Sequence, residues 1–278
     1  MTEVREIPFG RPWITDEDRA RVMEVLNGHI LTHGPNCKAF EQEFAQHMGT
    51  GHAVSTSSCW ASLHLAMINL GLGTGDEVLV PAQTHVATVH SVEFVGAKPV
   101  FVDCELQSGN IDIDQIEALI TDKTKAIVVV HFVGIPIDMV RVMEIANRHG
   151  LQVVEDCALA VGARVDGRHV GLFGHSGCYS FYPVKHITTG EGGMFVSQHE
   201  NVVQEVANFR AFSVDRTHTE RQIPGIYDVT NVGMNYRMSE MQAALGRGQV
   251  EKIPAILKAR KANFTLLKDR LAEVGDVH

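Results

Sequence analysis

Lys125-Ala-Ile-Val-Val-Val-His131 and Leu151-Gln-Val-Val-Glu-Asp156 decide the fold of this chain. Each is a continuous β-branched run without polar alternation, the pattern of a strand buried on both faces. Ile137 to His149, between them, reads as a helix, and a strand, a helix and a second strand in that order imply parallel pairing. Further back the unit recurs: strand Glu77–Pro81, helix Thr88–Val95, strand Pro99–Asp103, helix Asp112–Ile120. The expected fold class is α/β, a mostly parallel mixed sheet sandwiched by helices. Ligands of such sheets bind beyond the carboxyl ends of the strands. Asp156 stands at one such end, and Thr84-His85-Val-Ala-Thr88 follows another.

Toward the N-terminus the pattern predicts an extended arm and a helix from a Thr15 cap to Leu26. A turn at Leu31-Thr-His-Gly-Pro35 and a helix from Asn36 to Met48 follow, the helix closed by Gly49. His52–Thr56 reads as a strand leading through Ser57-Ser58-Cys59-Trp60 into an apolar helix, Ala61–Leu70. Small hydroxyl residues there leave N–H groups at the positive end of a helix, where a phosphate binds; simple serine capping explains the same residues, and on this stretch alone is preferred.

Toward the C-terminus lies Tyr179-Ser-Phe-Tyr-Pro-Val-Lys185-His-Ile-Thr-Thr-Gly-Glu-Gly-Gly193. Its lysine follows apolar Cys178, Tyr179 and Phe181 and precedes a buried strand beginning at Gly192 and reaching Ser197. Most lysines are solvated, but one set between two strands is partly desolvated, so its amine becomes a nucleophile suited to a Schiff base. Asp156, upstream in the same sheet, is either a turn carboxylate or the acid that keeps a pyridoxal ring nitrogen protonated. Beyond are a helix Glu200–Phe212, a polar surface loop Ser213–Thr230 and Gly233-Met-Asn-Tyr-Arg237. There Ser239 caps a long helix that kinks at Pro254 and runs to about Val274. Arg237 at this helix start either pairs with a carboxylate or grips a phosphate.

The 24 Lys and Arg against 33 Asp and Glu give a formal charge of −9, which disfavours nucleic acid and acidic membrane surfaces as partners. Five widely spaced cysteines in apolar surroundings read as reduced core residues of a cytoplasmic protein. The opening residues lack a signal-peptide pattern, and the run Ala126–Ile137 is too short to span a bilayer. No compact metal-ligand spacing occurs among the 15 histidines, and His85 with His90 is not taken as a metal pair.

SFYPVKHITTGEGGM, VVEDCALAVGA, NYRMSEMQAALG and the opening LTHGP with FEQEFAQHMG together resemble the DegT/DnrJ/EryC1/StrS family. The resemblance covers nearly the whole chain. It implies the aspartate aminotransferase type of fold, pyridoxal 5'-phosphate as cofactor and transamination of a nucleotide-linked keto sugar, with glutamate as donor and 2-oxoglutarate as product. Carried over by residue, it implies that Lys185 forms the Schiff base and Asp156 pairs with the pyridine nitrogen. Ser180 binds the phosphate with the backbone of Cys59 and Trp60. His85 lies on the pyridine face, where an aromatic residue is usual. Asn235 and Arg237 reach the phosphate of a neighbouring subunit's cofactor, so that a homodimer is the functional unit.

Three departures stand beside the resemblance. Trp60 replaces a common threonine and reshapes the phosphate cup. Leu159 replaces a glutamine that touches the ring hydroxyl. Family members also continue into a C-terminal domain that helps close over the substrate, whereas this chain stops at His278. The implied organisation is a major domain over 1–240, with its N-terminal arm, and a long helix over 241–278 leading toward a largely absent C-terminal domain. The run ITTGEGG favours members that aminate carbon four of a 6-deoxy-4-keto sugar. Alternatives are a dehydratase of the same family, in which histidine replaces the lysine, and a non-catalytic regulatory or truncated member.

Overall fold

The computed structural model describes residues 8, 10–49, 52–214, 223 and 226–274. Most of the extended N-terminal arm and part of the expected loop Ser213–Thr230 lie outside the described residues.

Helix α1 (Asp16–Asn27) opens on a capping box in which Thr15 N–H donates to Asp18 Oδ2 at 2.9 Å and Thr15 Oγ1 accepts from Asp18 N–H. Helix α2 (Pro35–Met48) ends on left-handed Gly49, φ 75°. Strand β1 (His52–Thr56) leads into α3 (Cys59–Asn69), capped by Ser58 Oγ accepting from Ala61 N–H. Then come β2 (Glu77–Pro81), α4 (Val86–Glu93), β3 (Lys98–Val102), α5 (Ile113–Ile116), β4 (Thr124–Val130), α6 (Met139–His149) and β5 (Gln152–Asp156). A small hairpin of β6 (Arg164–Val165) and β7 (Arg168–His169) precedes β8 (Ser176–Ser180) and β9 (Gly193–Ser197). Helices α7 (Glu200–Phe209) and α8 (Glu240–Ala272) complete the described chain.

The seven-stranded sheet has the order β1-β9-β8-β5-β4-β2-β3. Only β9 runs against its neighbours, pairing antiparallel with β1 and β8 while the other pairs are parallel. The expectation of a mostly parallel sheet covered by helices therefore holds. One apolar cluster joins Val54, Leu65, Val128 and Phe195 on the α3 face, and another joins Leu79, Ile127, Val142 and Ile145 on the α6 face. A third packs Phe40, Phe44, Tyr179 and Phe181 beneath α2 and the first half of α8.

Several boundaries differ from the sequence reading for local reasons. Helix α3 starts at Cys59 because Ser58 is its cap, and α4 starts at Val86 because His85 Nδ1 accepts from Ala87 N–H at 3.1 Å. The span Asp112–Ile120 forms one short α-helix and a 3-10 turn, Glu117–Leu119. Helix α7 ends at Phe209, because Phe212 and Ser213 take φ of 66° and 52° and the chain turns to bridge Ala211 with Asn235. Helix α8 continues through Pro254. The β6–β7 hairpin, not anticipated, turns on Asp166-Gly167 with φ of 48° and 79°, the signature of a two-residue loop with both residues left-handed. Cys104 is half-buried, unlike the other four cysteines, which lie in the core.

Candidate active site

Because β9 alone is reversed, its first residue shares an edge with the last residues of the parallel strands. The register sets Gly193 between Thr56 of β1 and Ser180 of β8, and Asp156 ends the next strand, β5. The segments after these strands, including Ser57–Trp60 and Lys185, thus converge on one edge of the sheet.

Gly193 is packed against the start of α3: a Cβ there would lie 2.4 Å from Ser58 C and 2.6 Å from Cys59 N. Ser58 Oγ takes the Ala61 N–H and Ser58 O takes the Ser62 N–H, so the N–H groups of Cys59 and Trp60 stay outside the helical ladder. Ser180, 7% exposed, offers its hydroxyl on the other side of Gly193 and accepts from Tyr182 N–H at 3.4 Å.

Asp156 is 5% exposed. Thr88 Oγ1 donates to its Oδ2 at 2.8 Å and Ala158 N–H to its Oδ1 at 3.0 Å. Thr84 Oγ1 contacts Thr88 Oγ1 at 2.8 Å, extending the chain of hydroxyls toward the surface. Cys59 lies within the field of both key charges: burial pushes its thiol well up, the Asp156 carboxylate adds to the rise, and the Lys185 ammonium opposes it.

Lys185 sits half-buried at the tip of a loop held by its own threonines. Thr188 Oγ1 donates to Phe181 O at 2.8 Å, Thr189 Oγ1 to Glu191 O at 2.6 Å, and Thr188 N–H to Gln249 Oε1 of α8 at 3.4 Å. Gln249 is itself buried and donates to Trp13 O at 3.0 Å and Asp18 Oδ2 at 3.2 Å, which ties the arm and α1 to the lysine loop. Among the described residues Lys185 forms no ion pair.

Trp60 does not fill the edge. Its indole stacks on His64 at 5.1 Å and meets Phe94 and Tyr236 edge-on at 5.2 and 5.9 Å, so only its backbone faces the site. Tyr236 O accepts from Ser57 N–H at 2.8 Å and its hydroxyl contacts His64 Nδ1 at 3.0 Å. Asn235, which bridges Ala211, is exposed. Arg237 lies over the Phe212 ring at 5.1 Å, its pKa lowered by burial and by Arg210. His85 is exposed on the same edge, after β2. Cys59, Trp60, Asp156, Ser180 and Lys185 are thus brought together, whereas Asn235 is exposed and Arg237 packs on Phe212.

The sequence reading did not single out Thr88 as the partner of Asp156, because the two lie 68 positions apart and no local pattern joins them. Nor did it foresee a fully buried trio, His131, Glu155 and Cys157, whose ligand atoms lie within 4.8 Å of one another. Glu155 accepts from the N–H groups of Gly171, Phe173 and Gly174 at 2.5, 2.7 and 2.8 Å. His131 Nδ1 accepts from Ile137 N–H at 3.2 Å, and its Nε2 faces Glu155 at 3.1 Å. These lone pairs are already engaged, so the trio is a buried knot that holds the β7–β8 loop.

These groups fit pyridoxal phosphate. Two free amides and a hydroxyl flank a position for the phosphate, a buried carboxylate suits a protonated pyridine nitrogen, and a lysine without an ion pair suits the aldehyde. Fold and donor set define a class, an α/β enzyme whose strand ends are equipped for an anionic aromatic cofactor. The chain belongs to the DegT/DnrJ/EryC1/StrS aminotransferase family, whose model matches residues 12–278. It is 36% identical over 277 residues to the GDP-perosamine synthase of Caulobacter vibrioides, covering 99% of this chain and 73% of that one. The aminotransferase structure from Psychrobacter cryohalolentis superposes with a TM-score of 0.91 at 37% identity, over 97% of this chain and 69% of that one. A GDP-4-keto-6-deoxymannose-3-dehydratase solved with bound GDP-perosamine gives a TM-score of 0.90 at 27% identity, over 96% and 73% of the two chains. The protein is accordingly an enzyme of the aminotransferase family, and the family implies pyridoxal phosphate. Among the described residues no helix is long and apolar enough to cross a membrane.

Proposed function

We propose that this chain transfers the amino group of glutamate to a nucleotide-linked 4-keto-6-deoxy sugar, acting as a cytoplasmic homodimer. The observation that carries the reading is the convergence of Lys185, Asp156 and the open start of α3 on one sheet edge, in a chain of this family. The sugar class rests on the relatives, one a GDP-perosamine synthase and another a dehydratase of GDP-4-keto-6-deoxymannose.

Bound pyridoxal phosphate supplies an electron sink for the carbanion left when a proton leaves the donor. Ser180 Oγ and the N–H groups of Cys59 and Trp60 hold the phosphate. Asp156, its plane set by Thr88 and Ala158, keeps the ring nitrogen protonated. The Lys185 amine would hold the cofactor at its aldehyde and, once free, its Nζ would take up the proton from the donor's α carbon. His85, exposed on the same edge, would lie on the ring, and Asn235 and Arg237 would serve the neighbouring subunit's phosphate. The same groups run in reverse on the keto sugar, so the kinetics are ping-pong. Lysine at position 185 favours transamination over the dehydratase reading, in which histidine stands there.

The test is reconstitution of the purified chain with pyridoxal phosphate, followed by glutamate and a screen of nucleotide keto sugars. A visible band that glutamate bleaches and a 4-keto sugar restores supports the reading. A band indifferent to glutamate overturns it.

A further inference from the structure

Gln249 of α8 is 1% exposed and borders a cleft of about 230 Å³ that Lys185, Thr188 and Trp13 also line. Its amide has two different ends, and its neighbours decide which way it points. Trp13 O, at 3.0 Å, and Asp18 Oδ2, at 3.2 Å, can only accept, so the Nε2 end faces them. Oε1 is thereby turned to the lysine loop, where it accepts from Thr188 N–H at 3.4 Å.

Asp18 fixes that choice. Its side chain is 2% exposed, and Oδ2 accepts from Thr15 N–H at 2.9 Å, from Gln249 Nε2 and from Lys252 Nζ. Lys252 Nζ also donates to Trp13 O at 3.2 Å and lies 5.6 Å from the centre of its ring. Gly248 lets the carboxylate come this close to α8, because a Cβ there would lie 2.2 Å from Asp18 Oδ1. A buried ion pair adds little net stability over an apolar contact of the same volume, since desolvation offsets its attraction. What the pair adds here is direction: an apolar side chain at position 18 would remove one of the acceptors that orient the amide.

The far end of this relay is the returning limb of the lysine loop. Phe181 O accepts from Thr188 Oγ1 at 2.8 Å and from Thr189 N–H at 2.9 Å, and Thr188 Oγ1 accepts from Gly190 N–H at 3.0 Å. Lys185 lies between these anchored ends, its own N–H donating to Tyr182 O at 2.9 Å. A shift at Thr188, itself 4% exposed, is therefore carried to Lys185 along one short stretch of chain.

We propose that Gln249 is a positioning residue for the reaction. Acting through Thr188, and held in its orientation by Asp18 and Lys252, it fixes where the Lys185 amine stands. This rests on the reading of Lys185 as the amine that bonds the cofactor aldehyde. An amine that must meet a carbon and later move a proton is sensitive to displacement, and about 1 Å can cost on the order of 100-fold in rate.

Gln249→Met keeps an unbranched side chain of similar size and removes both polar ends. Two measurements test the role. When pyridoxal phosphate is added to the cofactor-free protein, the visible band should form at least about tenfold more slowly in Gln249→Met than in wild type, followed by stopped-flow absorbance. In a Lys185→Ala background, where no amine remains to be positioned, the same substitution should change pyridoxal phosphate affinity by less than about twofold. A band that forms within about twofold of the wild-type rate overturns the role. So does a marked loss of affinity in the Lys185→Ala background, since Gln249 would then shape the cofactor site as a whole. Should Gln249→Met not fold, Gln249→Asn, which keeps an amide and draws it back from Thr188, carries the same two measurements. A wild-type chain that forms no band removes the Schiff-base role of Lys185 and this inference with it, whereas a wild-type band that Gln249→Met leaves unaltered removes the inference alone.

Discussion

Thr88 Oγ1 donates a 2.8 Å hydrogen bond to Asp156 Oδ2, and both side chains are buried. A carboxylate at a strand end is free to rotate about its last torsion. Here one oxygen is held from α4 and the other by the Ala158 N–H, so its plane is set before any ligand arrives.

Replacing Thr88 by valine keeps the volume and removes the donor. A hydrogen bond to a charged group is worth about 1.5–3 kcal/mol. The variant is expected to bind pyridoxal phosphate about tenfold or more weakly, read by absorbance titration of the cofactor-free protein.

Lys185→Ala leaves Asp156 and the start of α3 untouched. It should retain pyridoxal phosphate through those groups but show no Schiff-base band and no response to glutamate. Spectra before and after gel filtration distinguish retention from loss.

Gly193→Ala drives a methyl group to within 2.4 Å of Ser58 C. Backbone cannot rotate away as a side chain can, so overpacking should cost about 1–3 kcal/mol or more. Urea unfolding should show a lower midpoint, and cofactor retention should fall with it because α3 is displaced.

Glu240 accepts from the N–H groups of Gly34, Asn36 and Cys37 at 3.0, 2.7 and 3.0 Å, closing the start of α2 from the start of α8. Burial alone raises its pKa, but the hydrogen bonds from Cys37 and Asn36 prevail and hold it below the ordinary value of 4.5. A depressed carboxylate contributes stability above its unfolded range and loses it as pH falls through its folded value. Wild type should therefore lose an advantage over Glu240→Gln as pH falls below about 4.5, and thermal melting across that range checks it.

His169, His175 and His186 are all pushed from 6.5 to about 4, chiefly by burial. Unfolding then takes up protons between those values, so stability should decline as pH falls from 6.5 to 4. His175→Gln, which keeps a donor for Asn69 Oδ1, should flatten that slope; an unchanged slope contradicts the assignment.

Much of the architecture was legible because strands buried on both faces must be apolar throughout. Val128, Val129 and Val154 announce themselves, and Thr15, Gly49 and Ser239 mark helix ends by local chemistry that needs no distant partner. The α7 terminus was not legible, because Phe212 takes a left-handed backbone only when Met234 O is present to accept its N–H. The β6–β7 hairpin carried its signal in Asp166-Gly167, but strands of two residues leave no periodicity to read.

For the site, chemical character was written in residue type and order. A lysine among glycines and threonines, and an aspartate closing an apolar run, are local statements about desolvation and charge. What only the tertiary structure decided was adjacency. Reversal of β9 sets Gly193 between Thr56 and Ser180, α8 brings Gln249 to Thr188, and its later turns carry Arg260 beside His186. Each pairing joins segments far apart in the chain, and strand order and helix packing choose among such pairings where hydrophobic pattern cannot, because the pattern records how deeply a residue is buried and not which neighbour it meets.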